Sequence, residues 1–206
     1  MKDLGKLTGL QELFLEDFGF YVAEGGGGPC HSIELGEGVQ YLSPLTALTS
    51  LNLKLAAGLT PAAFRTLNAM TSLKTLNLRG SHHKQAMPGC FRMSALSGLT
   101  ALTSLNLQDT VMNASDMELE ELSRLTAMKT LRMGKTEDND ALSLSGTCTA
   151  TAAGIEALSA LTGLTELNLK GWLHAQAMQT LEARVPALHA LCVADKGDPP
   201  VFDWLL

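Results

Sequence analysis

The chain has 206 residues, of which 46% are hydrophobic and 17% charged, and its formal net charge is −6. That balance argues against a general nucleic-acid binder, which needs a basic footprint, and no apolar run approaches the roughly 18 residues of a membrane span. Four cysteines, Cys30, Cys90, Cys148 and Cys192, include no C-x-x-C pair, which removes the spacing of zinc and thioredoxin-type sites and points to reduced thiols in an intracellular setting.

The N-terminus, Met1-Lys-Asp-Leu-Gly-Lys-Leu7, has no apolar h-region, so no secretory signal is expected. It runs directly into a repeated phrase whose first copy begins at Leu7 and is crowded by Phe14, Phe18, Phe20 and Tyr21. An insertion, Glu24-Gly-Gly-Gly-Gly-Pro-Cys30, follows. The clearest copy is Leu45-Thr46-Ala47-Leu48-Thr49-Ser50-Leu51-Asn52-Leu53, and it returns almost verbatim at Leu99–Leu107 and Leu161–Leu169. Looser copies start at Leu67, Leu125 and Val185. Between copies the pattern changes to helical spacing. Thr60-Pro61 opens one helix with proline at the first position, where its missing N–H costs nothing. Ser115–Leu125 and Thr151–Leu158 open behind Ser and Thr caps. Further insertions lie at Ser81–Cys90 and Asp138–Cys148.

Each phrase ends in Leu-x-Leu, whose alternation is that of a half-buried strand. The leucines that open this piece are Leu13, Leu51, Leu76, Leu105, Leu131, Leu167 and Leu191, at intervals of 38, 25, 29, 26, 36 and 24 residues. Repetition on that scale means a solenoid, each coil a strand, a turn, a helix and a return that buries its leucines only against its neighbours. Long and short intervals alternate, so a two-coil unit has been duplicated. The insertions all fall in the long coils, on one edge.

With L-x-x-L-x-L recurring in phase seven times, the chain resembles a leucine-rich repeat protein over nearly all its length, and its helices resemble those of the ribonuclease-inhibitor-like and cysteine-containing subclasses. The resemblance implies a right-handed α/β horseshoe of about seven coils, with parallel strands on the concave face and helices on the convex one, as a single domain over 1–206. The family's ladder position, three residues past L-x-L, holds Phe18, Ala56, Ser81, Thr110, Thr136, Trp172 and Lys196. Ser and Thr can bond to backbone there; Ala and the aromatics cannot.

Strand alternation predicts three outward rows. The first is Glu12, Ser50, Thr75, Ser104, Thr130, Glu166 and Ala190. The central row is Phe14, Asn52, Asn77, Asn106, Arg132, Asn168 and Cys192. The third includes Lys54, Arg79, Gln108, Gly134 and Lys170. Asparagines flanked by Lys54, Arg79, Arg132 and Lys170 make this face a mildly basic candidate for docking an acidic or polar protein segment. The aromatic ends, Phe14, Phe18 and Phe20 at one side and Phe202 and Trp204 at the other, are candidates for capping or partner docking. The tail from about 195 to 206 would supply the second of these.

No catalytic constellation stands out, and no cofactor or metal is expected. Gly134-Lys135-Thr136 ends like a phosphate loop, but position 129 is Lys where that loop needs glycine. His82, His83 and Cys90 share an insertion, and Cys30 adjoins His31, without carboxylates to complete a metal site. Asn113-Ala-Ser115 is a sequon of the kind that occurs by chance. The expected function is a non-catalytic protein–protein interaction scaffold, a subunit of a hetero-complex. The alternative is a substrate-recognition module of a ubiquitin ligase, motivated by the repeats of F-box proteins.

Overall fold

A computed structural model describes residues 2–15, 38–56, 58–81, 92–110, 114–134, 149–170, 175–188 and 190–192. Seven short strands are built from the Leu-x-Leu pieces: β1 (Glu12–Phe14), β2 (Ser50–Asn52), β3 (Thr75–Asn77), β4 (Ser104–Asn106), β5 (Thr130–Gly134), β6 (Glu166–Lys170) and β7 (Ala190–Cys192). They pair in parallel, in chain order, as one sheet. The register places Leu13, Leu51, Leu76, Leu105, Leu131, Leu167 and Leu191 side by side.

The leucines and the second threonine of the phrase have separate physical tasks. In the copy at Leu45 all four leucines are at most 1% exposed, and burial of this kind stabilises by about 1.5–3 kcal/mol per side chain. The Leu-x-x-Leu step is a tight turn closed by an N–H to C=O bond of 2.9–3.1 Å in all seven copies, from Leu10–Leu7 to Leu188–Val185. The third copy is in phase from Met70, not Leu67: Leu73 N–H donates to Met70 O, while Leu67 lies inside a helix. The second threonine acts between coils. Thr49, Thr103 and Thr165 each donate Oγ1–H to a carbonyl of the preceding coil, on Gln11, Lys74 and Lys129, at 3.0–3.1 Å. Met70, Met128 and Met133 stand in for leucine in one continuous core.

The opposite layer holds α1 (Pro61–Asn68), α2 (Asp116–Ser123), α3 (Ala152–Ala157) and α4 (Ala175–Arg184). The three helices expected from the sequence are capped as expected. Thr60 Oγ1 accepts from Ala63 N–H, Ser115 Oγ from Glu118 N–H, and Thr151 Oγ1 from Ala153 N–H. In the described parts of two further coils this layer holds 3-10 turns, Val39–Leu42 and Met93–Leu96. Their buried pairs, Val39 with Leu42 and Met93 with Leu96, are three residues apart, matching three residues per turn. α2 packs on α3 and α3 on α4. Gly154 makes the first contact possible: a Cβ there would lie 2.3 Å from Asp116 Oδ1 and 2.7 Å from its Cα. Asp116 accepts from both N–H (2.6 Å) and Oγ1–H (2.8 Å) of Thr151, so the start of one helix is tied to the cap of the next. Glu118 Oε2 accepts from Met93 N–H on the other side. Among the described residues no helix is long and apolar enough to cross a membrane.

Candidate interaction surface

The sheet face away from the core carries the predicted rows. Glu12, Ser50, Thr75, Ser104, Thr130, Glu166 and Ala190 are register partners, and so are Phe14, Asn52, Asn77, Asn106, Arg132, Asn168 and Cys192. The asparagines at 52, 77, 106 and 168 are half-buried, and Phe14 on the edge strand is 61% exposed. Gly134 and Lys170 pair in the third row.

Geometry redefines what these residues do. Asn52, Asn77 and Asn106 each accept, through Oδ1, the backbone N–H two residues on, at Lys54, Arg79 and Gln108, all at 3.0 Å. This Asx turn bends the chain out of the strand. The bend then passes through left-handed backbone at Leu55 (φ 58), Gly80 (φ 64) and Asp109 (φ 55). At Gly80 a Cβ would meet Leu55 Cδ2 at 2.4 Å. These three asparagines are therefore part of the scaffold.

The ladder position behaves as its chemistry allows. Ser81 Oγ–H donates to Leu53 O at 2.8 Å and Thr110 Oγ1–H to Leu78 O at 2.9 Å, each reaching one coil back. Ala56, without a hydroxyl, supplies only its backbone N–H to Leu53 O.

Two of the expected cations, Arg79 and Arg132, meet acids. Arg79 Nε lies 3.4 Å from Asp109 Oδ2, an acid only 7% exposed. Arg132 holds Glu166 of the next strand by two bonds, Nε to Oε1 at 2.5 Å and Nη2 to Oε2 at 3.1 Å. The hydrogen bond to Glu166 raises the Arg132 pKa above its ordinary value; partial burial opposes this, and attraction to the same carboxylate adds to it. Gln108 is 8% exposed and so adds little to the open face. Asp109 and Glu166, the acids that set this balance, belong to neighbouring coils 30 and 34 residues from their partners.

Phe18, Phe20, Phe202 and Trp204 lie outside the described residues, as do Cys30, His31, His82, His83, Cys90, Cys148, Lys135 and Thr136. Ser115 of the sequon caps α2. Among the described residues no group of three His, Cys, Asp or Glu side chains converges as a metal site would require.

No family model matches the chain, and no curated protein matches its sequence. Solved structures do. A leucine-rich repeat protein of Leptospira interrogans superposes with a TM-score of 0.51 at 15% identity, over 94% of this chain and 51% of that one. The fold is that of a leucine-rich repeat. An internalin from Listeria monocytogenes gives a TM-score of 0.43 at 18% identity, over 95% of this chain and 64% of its own. Internalin C2 of the same organism gives 0.43 at 22%, over 78% and 69%. The chain thus spans half to two-thirds of the length of these leucine-rich repeat structures.

Proposed function

We propose that the protein is a non-catalytic protein–protein interaction module, a right-handed horseshoe of about seven coils forming one domain over 1–206. It would serve as a structural or accessory subunit of an intracellular hetero-complex. The observation that carries this reading is the open sheet face. Half-exposed polar side chains stand in unbroken register across the strands, on a leucine ladder that is almost wholly buried between β2 and β6. A surface fixed by its own core loses little freedom on binding. Asn52, Asn77, Asn106 and Asn168 would offer amides to a polar protein segment, with Lys54 and Lys170 as the flanking cations. Arg79, Arg132 and Gln108 would serve chiefly to hold the face together. The aromatic residues at the ends, Phe14, Phe18, Phe20, Phe202 and Trp204, would cap the solenoid or extend the contact.

The test is capture of the partner from the native source by wild type and by a K54E/K170E variant. Arg79 is left in place because reversing it would set a carboxylate against the buried Asp109. Lower recovery of the same partner at an unchanged melting temperature is expected. Unchanged recovery, with loss on removing 201–206 or on Phe14→Ala, would move the interface to the ends.

A further inference from the structure

The edge where the strands begin carries a second alternation. The residues before β1 to β6 are Gln11, Thr49, Lys74, Thr103, Lys129 and Thr165. Threonines here spend their hydroxyls on the carbonyl of the preceding coil. Lys74 and Lys129 occupy the same backbone position, with the same paired N–H donation to the coil before: Lys74 and Thr75 to Thr49 O, Lys129 and Thr130 to Thr103 O. They give up the side-chain bond. Both are exposed, as is Gln11, whereas the threonines are half-buried. No hydrogen bond or ion pair joins either ammonium to another described residue, unlike Arg79 and Arg132. The scaffold makes no use of these two cations. Beside them runs the half-buried hydroxyl row Ser50, Thr75, Ser104 and Thr130, and Glu166, whose backbone N–H donates to Lys129 O, has its carboxylate held by Arg132.

We propose that this edge docks an acidic peptide in polyproline II conformation, with carboxylates three residues apart on Lys74 and Lys129 and the hydroxyl row beneath. The inference rests on the reading of the protein as a docking module and names the partner chemistry and the edge. Spacing selects the peptide. Two strand separations place Lys74 and Lys129 about 9.6 Å apart. Polyproline II repeats every three residues, about 9.3 Å, so side chains at i and i+3 share a face at that distance. A peptide in β conformation puts i and i+3 on opposite faces. Charge complementarity with an acidic peptide is local, on a chain that is acidic overall.

The experiment uses the full chain and two labelled synthetic peptides of one composition, rich in proline and alanine. One carries glutamates at positions 1, 4 and 7; the other at 1, 3 and 5. Binding is read by fluorescence anisotropy. The decisive variant is K74T/K129T, which installs the residue the alternate coils already use and offers each hydroxyl a carbonyl on the coil before. It is expected to match or exceed wild type in melting temperature. It should bind the i, i+3 peptide about 2- to 5-fold more weakly per lysine replaced, the range of exposed ion pairs. K74R/K129R should bind as wild type does. Equal binding of both peptides to wild type, or unchanged binding to K74T/K129T, would overturn the proposal. If K54E/K170E loses the native partner while K74T/K129T keeps it and binds the peptide normally, the open-face reading stands and this inference falls.

Discussion

Asn77 looks outward in the sequence and is a turn-former in the structure. Its Oδ1 accepts Arg79 N–H, satisfying a donor that leaves the sheet ladder as the chain bends. Asp keeps that acceptor and Ala does not. We therefore expect N77A to lose about 0.5–1.5 kcal/mol of stability and N77D to keep most of it, by urea unfolding at neutral pH. If N77A were as stable as wild type, the asparagine row would be free of scaffold duty. The Arg132–Glu166 pair gives a second expectation. The two side chains are 45% and 30% exposed, so solvent screens them, and a double-mutant cycle with R132Q and E166Q should return a coupling of roughly 0.2–1 kcal/mol. Its strength should fall with added salt and stay flat with rising pH through the neutral and alkaline range. The raised Arg132 pKa lies above that range, so the guanidinium stays charged throughout.

Strands were legible in the sequence because period two and the fixed phrase leave one register: a slip of one residue would turn Leu51 and its equivalents outward. Helices behind Thr60, Ser115 and Thr151 were legible from their caps. α4 was expected only as the helix of its coil, without bounds, because the residues before it, Gly171-Trp-Leu-His174, offer no Ser, Thr, Asp or Asn cap. The 3-10 type of the turns at Val39–Leu42 and Met93–Leu96 was not legible, because a pair at i, i+3 fits both helix types. Close approach between helices is equally silent in sequence. Gly154 reads as a weak helix residue, yet it admits Asp116. G154A gains up to about 1 kcal/mol of helix propensity but drives a Cβ into the Asp116 backbone, an overpacking cost of roughly 1–3 kcal/mol. We expect net destabilisation by thermal unfolding. A stabilised G154A would mean that α2 and α3 are free to move apart.

At the scale of the molecule, repetition makes the scaffold and its exceptions carry the individuality. The candidate surface was half legible: its rows follow from alternation, but its charge does not. Arg79–Asp109 and Arg132–Glu166 join residues of different coils, and only the stacked sheet shows that these two expected cations each meet an acid. Lys54 and Lys170, and the lysines at 74 and 129, are the cations left to test by charge reversal. The central claim is that this sheet face, and not the helical layer, meets the partner. It is tested most directly by quantitative capture from the native source with three proteins of matched melting temperature: wild type, K54E/K170E, and the helix-face variant E120K/E121K. The account predicts that the sheet-face variant loses the partner and the helix-face variant recovers it at the wild-type level. Retention by the sheet-face variant with loss by E120K/E121K would contradict it.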